Sequence, residues 1–341
     1  MKSVCSQPVW GLGMYSIAGS TPFAGLMVKG EVMALQALAA CTGQQQTLFG
    51  TDTLMDCLQY WPHNQPLIKR LAEQVLELGW QSLQIPQRPV AEDLLTLHAP
   101  LPQPRQFFCS GANYRQHVKD LVIDQRRDPE WQHLNDEEIL RQAEQFVEQR
   151  AAGTPYVFSK VSSSICGPND PVMVADYALM PDWELELAVV IGKPGYQLSD
   201  ANALEVVAGY TIVNDITNRE LTHRPDLHAI GSDWLMGKCQ PGYSPMGPYL
   251  IPASEVADPQ QLRIQLQLNN ELMQDESSAD MIFDVRQLLV YLSSRVQLYP
   301  GDILITGSPA GNGSHFNRFL KPGDVMTSCI EGLGCQQNRV V

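Results

Sequence analysis

The sequence predicts an α+β protein in which β-strands predominate. From residue 156 to the C-terminus, short apolar or alternating segments are separated by turn residues, and they form no repeated strand–helix–strand series. A proline-rich passage over 86–104 separates this region from an N-terminal part whose sequence pattern is different. A chain of 341 residues is long enough for two domains of roughly 150 residues each. We therefore expect a smaller N-terminal α+β domain over 1–100 and a larger domain over 105–341, with one large β-rich unit as the alternative.

The first hundred residues contain two strand signals and one helix signal. Residues 25–29 and 31–35 are short apolar segments of the kind found in strands. Asn64 is a candidate helix N-cap, Pro66 suits a first helical turn, and an apolar stripe continues as far as Gly79. We therefore expect a helix between Asn64 and Gly79.

The larger region begins with a strand signal over 107–110 and contains two helices that are marked by capping boxes. Asn135 with Glu138 precedes one apolar stripe, and Asp284 with Gln287 precedes the other. In a capping box the two side chains satisfy backbone amides that the first helical turn leaves without partners. We expect a helix to begin after each of the two capping residues.

Three further segments of the larger region predict strands. Residues 262–268 alternate cleanly between apolar and polar side chains and lead into the turn pair Asn269–Asn270, as in a β-hairpin. Residues 182–192 and 209–215 are strand-like runs. Pro-Gly-Asp turns then separate the last strands.

The bulk composition argues against two classes of partner. The net charge is −14, and Lys and Arg form no cluster that could bind nucleic acid or an anionic membrane. No apolar run approaches the roughly 18 residues needed to cross a membrane, and the N-terminus lacks the apolar stretch of a secretory signal. We expect a soluble cytoplasmic protein.

The cysteines indicate a reducing environment. Eight are scattered along the chain, with no Cys-x-x-Cys pair and no histidine at zinc spacing. We expect reduced thiols, several of which fill core space as small hydrophobic residues. None is assigned to catalysis.

Glu184 and Glu186 lie just before an apolar run over 188–191 and are the most informative feature of the chain. Because a strand alternates its faces, the two carboxylates point the same way. The run that follows is typical of a strand buried on both faces, and two buried like charges need a positive partner. Hard oxygen ligands of this kind favour Mg²⁺, Mn²⁺ or Ca²⁺. A solvated edge strand explains the same pattern about equally well.

Asp215 and His117 are further candidates for the same site. Asp215 ends a strand-like segment and is the best third carboxylate, although the residues alone slightly favour a role in capping the following turn. His117 precedes Asp120 by three residues, so on a helical turn the acid could orient the imidazole as a general base. Three other histidines have comparable claims: His223, His228 and His315.

Two loops could contact a substrate. Lys238 lies in a loop rich in Gly and Pro, where it could neutralise a substrate carboxylate or simply be exposed. The Gly-rich stretch 306–313 lacks the Gly-Lys-Ser/Thr ending of a phosphate loop, which argues against a nucleotide site. Its backbone amides and Ser308 could hold a small carboxylate, or the stretch could be a wide hairpin loop.

Several segments occur in a characteristic order: 111–117 (Gly-Ala-Asn-Tyr-Arg-Gln-His), 155–168, 182–186, 209–215, Lys238 with 244–248, and 301–309. Together they resemble the motifs of the fumarylacetoacetate hydrolase superfamily. The match is strong over 105–341 and weak before it. The resemblance implies that superfamily's mixed β-sandwich roll, here with a smaller N-terminal α+β domain, and a homodimer.

The resemblance also implies the residues of an active site. Glu184, Glu186 and Asp215 are the implied ligands of a divalent metal, Mg²⁺ or Mn²⁺ with Ca²⁺ as an alternative. The implied catalytic residues are His117, Asp120 and Lys238. The implied substrate-binding residues are Tyr114, Lys160, Arg219, Gly307 and Ser308.

The implied substrate is a small 2-oxo or 2,4-dioxo acid. The first expectation is hydrolysis of a carbon–carbon bond of the acylpyruvate or fumarylacetoacetate kind, with water activated by His117 and the metal stabilising the enolate. Decarboxylation, tautomerisation or isomerisation, and hydration are the alternatives on the same site. The helical insertion over about 121–154 is the expected lid.

A catalytically silent metal-binding scaffold is the hypothesis from another class. Asp120 stands where the family usually has Glu, and Pro241–Gly242 replaces a frequent Asp-Thr pair. The complete set of three carboxylates together with His117 favours an enzyme.

Overall fold

The computed structural model describes residues 6–41, 47–124, 134–222, 224, 226 and 231–341. The strands are β1 Trp10–Ser16, β2 Phe23–Val28, β3 Glu31–Ala34, β4 Val90–Ala91, β5 Thr96–His98, β6 Phe107–Gly111, β7 Tyr156–Ser159, β8 Ile165–Cys166, β9 Pro181–Asp182, β10 Leu185–Ile191, β11 Val207–Asn214, β12 Thr217–Asn218, β13 Ser244–Pro245, β14 Ile251–Pro252, β15 Arg263–Leu268, β16 Glu271–Ser277, β17 Ile303–Ile305, β18 Val325–Ile330 and β19 Gly334–Arg339. The helices are α1 Leu35–Cys41, α2 Leu54–Gln59, α3 Trp61–Leu78, α4 Arg115–Asp124, α5 Asp136–Ala151, α6 Arg219–Thr222, α7 Trp234–Lys238, α8 Val285–Ser293 and α9 Gly313–Phe316. Within the described ranges, no helix combines the length and apolar character needed to cross a membrane. The mixture of sheets and helices confirms the α+β class.

The first hundred residues form a five-stranded antiparallel sheet with strand order β4-β3-β2-β1-β5. β2 and β3 confirm the two strands predicted at 25–29 and 31–35. The helix α3 packs beside β2 and buries Ile68, Leu71 and Val75 along one stripe.

The predicted start of this helix is wrong. The helix begins at Trp61, so Asn64 and Pro66 lie inside it. Asn64 does not act as the cap because its side chain holds a loop instead: its Nδ2 donates to the Phe49 carbonyl at 2.8 Å, and its Oδ1 accepts from the Phe49 amide at 3.0 Å. The predicted end is confirmed, since Gly79 follows the last helical residue at a φ of 79°.

β10 lies in the interior of a six-stranded sheet with strand order β14-β11-β10-β17-β6-β7. It pairs antiparallel with β11 and β17, whereas β17 and β6 are parallel. Every residue of β10 and β11 is buried. The prediction of a strand covered on both faces is therefore confirmed, and the ends of these two strands lie deep in the molecule.

A second sheet, with strand order β16-β15-β18-β19, packs beside β10 and β11. It contains the predicted hairpin, in which Asn269 and Asn270 take φ values of 52° and 68° between β15 and β16. The N-terminal sheet joins the six-stranded sheet through backbone pairing of Leu12 with Leu250 and a shared apolar core. The domain boundary near residues 100–105 stays a prediction.

Both predicted capping boxes are present. Asn135 accepts from the Glu138 amide at 3.0 Å at the start of α5. Asp284 accepts from the Gln287 amide at 2.7 Å at the start of α8, and its own amide donates to the Gln287 side chain at 2.9 Å. Each pair supplies hydrogen-bond partners for backbone amides of the first helical turn, which have none within the helix.

The expectation that all eight cysteines are reduced thiols is wrong for one pair. Cys329 and Cys335 form a disulfide between β18 and β19. The two residues are direct partners across this antiparallel hairpin, with Cα atoms 4.2 Å apart. The hairpin register that creates this proximity is not visible in a spacing of six residues.

We expect Asp284→Ala to lower the free energy of unfolding by about 1 kcal/mol, because the first turn of α8 loses its side-chain acceptor. Asp284→Asn keeps an acceptor oxygen and serves as the matched control. Urea unfolding followed by circular dichroism measures both variants. Equal destabilisation by the two substitutions would contradict the capping role.

Candidate active site

Antiparallel pairing brings Glu184, Glu186 and Asp215 together. Glu184 immediately precedes β10, Glu186 lies within it, and Asp215 follows the paired end of β11, where its amide donates to the Glu184 carbonyl at 2.7 Å. One oxygen of each side chain lies within 4.8 Å of the others. The three residues are only 6%, 2% and 1% exposed, so the solvated-edge alternative is wrong.

Three cationic side chains contact two of these carboxylates. The Lys238 Nζ lies 2.5 Å from Glu184 Oε2 and 2.6 Å from Asp215 Oδ2. The Lys160 Nζ lies 2.6 Å from Asp215 Oδ1, and the Arg219 Nη2 lies 2.6 Å from Glu184 Oε1. The Asp215 side chain therefore serves this cluster rather than a turn, and Lys238 is a buried partner rather than an exposed loop residue.

The surrounding charges shift the pKa values of these groups in opposite directions. Burial alone would raise the pKa of Glu184, but Arg219 and Lys238 hold it below its ordinary value. Burial alone would lower the pKa of Lys238, but Asp215 and Glu184 raise it. At neutral pH both side chains are therefore charged, as a paired buried cluster requires.

The environment of Glu186 differs from that of Glu184 and Asp215. Its Oε2 accepts from the Gly307 amide at 2.6 Å. Burial, followed by the charges of Asp215 and Glu184, raises the pKa of Glu186 well above its ordinary value. A divalent cation bound among the three carboxylates would favour the ionised form of Glu186. The donor set fits a hard cation, since the three residues offer carboxylate oxygens only.

His117 lies on α4, near this cluster. The pKa of His117 is lowered to about 4, chiefly by burial; Glu184 opposes this shift, and the charges of Arg219 and Lys238 add to it. The imidazole is therefore neutral at pH 7 and has a lone pair to accept a proton. Asp120, one helical turn later, accepts from Gln116 Nε2 at 2.8 Å and lies 4.0 Å from His315 Nδ1.

A cavity of about 180 Å³ unites most of the predicted residues. Its lining includes six predicted residues with charged or titratable side chains, together with the predicted Ser308 and several aromatic side chains. The full lining is Ser110, Gly111, Ala112, His117, Leu121, Tyr156, Phe158, Glu184, Glu186, Asp215, Arg219, Trp234, Lys238 and Ser308.

The remaining predicted residues lie around this cavity or behind it. Lys160 is buried behind Asp215, and Gly307 reaches the cluster through its amide. Tyr114 is fully buried and does not line the cavity, and its assignment to substrate binding stays a prediction. The pairing of His117 with Asp120 stays a prediction. The rival histidines His223 and His228, and residues 125–133 of the predicted lid, lie outside the described residues.

An aromatic pair that the sequence did not predict covers Lys238. The rings of Phe158 and Trp234 stack with centroids 4.9 Å apart, and the Lys238 Nζ lies 5.4 Å and 5.7 Å from them. Such rings attract the cation and exclude water from it. Phe158 lies in a segment that carried the family resemblance, whereas no sequence signal pointed to Trp234.

Thr217 and Asp182 were also missed. The Thr217 hydroxyl donates to Glu184 Oε2 at 3.0 Å and accepts from the Lys238 Nζ at 2.6 Å. Asp182 is fully buried and accepts from the Arg219 Nε at 2.8 Å, which fixes that guanidinium at the cavity wall. Their proximity in sequence to Glu184 and Asp215 is the only signal that could have identified them.

Comparisons with known proteins identify the family. The family model for the fumarylacetoacetate (FAA) hydrolase C-terminal domain matches residues 106–341. The chain belongs to the fumarylacetoacetate hydrolase family. It is 34% identical over 286 residues to the mitochondrial oxaloacetate tautomerase of Rattus norvegicus, covering 81% of each chain.

Two solved structures of the family have the same fold along almost the whole chain. One is a probable 2-hydroxyhepta-2,4-diene-1,7-dioate isomerase from Mycobacterium abscessus, with 27% identity, coverage of 97% and 98% of the two chains, and a TM-score of 0.68. The other is the fumarylacetoacetate hydrolase from Exiguobacterium antarcticum, with 26% identity, coverage of 97% and 99%, and a TM-score of 0.69. The chain therefore resembles family enzymes named for different reactions.

We expect Glu186→Gln to weaken the binding of Mn²⁺ by at least about tenfold, because the amide cannot supply the negative charge of the carboxylate. Binding to the unsubstituted protein should tighten as pH rises, because the cation displaces a proton from Glu186. Titration calorimetry at several pH values measures both effects. Glu205→Gln, at an exposed position, is the control. Unchanged affinity in Glu186→Gln would show that the carboxylate is not a ligand.

Proposed function

We propose that this protein is a metal-dependent enzyme that interconverts the keto and enol forms of a small 2-oxo acid of the oxaloacetate type. The observation that carries the proposal is the neutral imidazole of His117 in the same small cavity as three buried carboxylates. The similarity to an oxaloacetate tautomerase over 81% of both chains supports it. Homodimer assembly and a cytoplasmic location stay predictions.

The cavity has the groups that enolisation needs. A divalent cation held by Glu184, Glu186 and Asp215 would stabilise the negative charge that develops on the keto oxygen. His117 accepts the proton from the carbon next to the keto group, and the electron pair of that C–H bond forms the enol double bond. The keto oxygen takes up one proton, so that no atom is gained or lost overall.

Other side chains of the cavity position the acid. Arg219 lines the cavity and keeps 21% of its side chain exposed, which leaves a positive surface for a substrate carboxylate. Phe158 and Trp234 form an apolar wall that limits access of water to the reacting carbon. The cavity volume of about 180 Å³ suits a small substrate.

Hydrolysis of a carbon–carbon bond in a 2,4-dioxo acid, the first expectation from the sequence, is the second candidate. The resemblance of the whole fold to a fumarylacetoacetate hydrolase favours it. In that reaction His117 takes its proton from a water molecule, which attacks the distal carbonyl, and the departing fragment leaves as an enolate. The two reactions differ in whether a water molecule is consumed.

We expect the protein to accelerate the keto–enol interconversion of oxaloacetate in the presence of Mg²⁺ or Mn²⁺, and chelation to abolish the effect. The disappearance of enol absorbance measures the rate. Acetylpyruvate, assayed in parallel for release of pyruvate, tests the hydrolytic candidate. Consumption of neither acid with either metal would overturn the proposal of an enzyme on these substrates and favour the silent scaffold.

We expect His117→Ala to lower kcat on oxaloacetate by about 10²- to 10⁴-fold, the usual contribution of a general base. The affinity for Mn²⁺ should change little, since the carboxylates remain. His98→Ala is the control because His98 lies on the N-terminal sheet, where it pairs with Ser16. A kcat within a factor of about two of the unsubstituted protein would exclude His117 as the base.

A further inference from the structure

A second hollow adjoins the candidate active site. A groove of about 530 Å³ lies between α4 and α5. Ala112 and Leu121 line both this groove and the smaller cavity that contains the carboxylates. The two spaces are therefore neighbours that share one wall.

Helical periodicity places uncharged residues along the described lining of the groove. Val118, Leu121 and Val122 are spaced on one face of α4, and the α5 residues in the lining recur at the same kind of spacing: Gln142, Gln145, Phe146 and Gln149. No described residue of the lining carries a charge. Four charged side chains of the two helices line a different hollow: Arg115, Lys119, Glu144 and Glu148.

The groove exposes apolar surface to solvent. Val118 and Val122 form a buried floor, at 1% and 4% exposure. Leu121 and Phe146 are 40% and 48% exposed to solvent. A ligand that covers them removes apolar area from water, which favours binding of hydrocarbon over a charged group.

We propose that this groove binds the uncharged distal chain of a 2-oxo acid whose oxo-carboxylate end lies in the carboxylate-lined cavity. The proposal rests on the proposed function and extends its substrate class to 2-oxo acids with neutral chains of several carbons. We assign the occupant to the substrate because the groove adjoins the candidate active site, with which it shares the lining residues Ala112 and Leu121. Phe146 and Gln145 then determine which distal groups are accepted.

Calorimetric binding of three probes in the presence of Mg²⁺ tests the proposal: 2-oxobutanoate, 2-oxooctanoate and 2-oxooctanedioate. Each methylene that the groove takes from water should tighten binding by up to about fourfold. We therefore expect 2-oxooctanoate to bind at least about tenfold more tightly than 2-oxobutanoate, and more tightly than 2-oxooctanedioate, whose distal carboxylate would enter a neutral groove.

Two variants at exposed positions identify the groove as the source of this preference. Phe146→Ala should reduce the advantage of 2-oxooctanoate over 2-oxobutanoate by at least about threefold. Gln145→Arg should increase the affinity for 2-oxooctanedioate about tenfold relative to 2-oxooctanoate, because it supplies a partner for the distal carboxylate. Gln261→Arg, which lies outside both hollows, should change neither ratio.

The outcomes separate this inference from the proposed function. Equal affinity for the short and long acids, or ratios unaffected by Phe146→Ala and Gln145→Arg, would overturn the groove while leaving the site intact. Failure of all three acids to bind, with Mg²⁺ still bound, would overturn the proposed function and the groove assignment together.

Discussion

The structure depends on the burial of three carboxylates that lie close enough to repel one another. Glu184, Glu186 and Asp215 are almost completely removed from water, and a charge buried without a partner would cost several kcal/mol. Lys160, Lys238 and Arg219 neutralise two of them, and the raised pKa of Glu186 shows that the third remains undercompensated. A divalent cation is the partner that we propose for these three carboxylates.

This constraint connects distant parts of the chain to the sheet. Lys160 follows β7, Arg219 begins α6 and Lys238 ends α7, yet all three converge on the paired ends of β10 and β11. Each ion pair therefore holds a connecting segment in place as well as balancing a charge. Lys238 contacts both Glu184 and Asp215, and each of these carboxylates has a second cationic partner. We therefore regard the cluster as one electrostatic unit rather than a set of independent bonds.

Two neighbouring spaces beside the cluster have different roles in the proposed enzyme. One contains the reacting groups, and the other selects the substrate. The small polar cavity contains the groups that we propose bind and deprotonate an oxo acid, and these groups suit several reactions of the family. The described lining of the groove between α4 and α5 is uncharged. In the proposed complex it would contact only the part of the substrate that extends past the reacting carbons. Changes on α5 can thus alter substrate range without altering the charge balance at the carboxylates.

The sequence by itself determined the features that depend on residues two to four positions apart. The shared face of Glu184 and Glu186, the capping boxes at Asn135 and Asp284, and the Asn269–Asn270 hairpin all follow from strand or helix geometry within one segment. The same local reasoning left Asp215 undecided, and only the family resemblance assigned it to the metal site.

Only the tertiary structure decided which distant residues meet. Asn64 lies inside a helix, where its side chain binds a loop, and Cys329 pairs with Cys335. Trp234 stacks with Phe158 over Lys238. These contacts depend on sheet register and on the packing of segments dozens of residues apart, for which periodicity within one segment carries no information. The carboxylates can therefore be identified from local sequence. The cationic side chains and the cavity walls come together around them only in the folded protein.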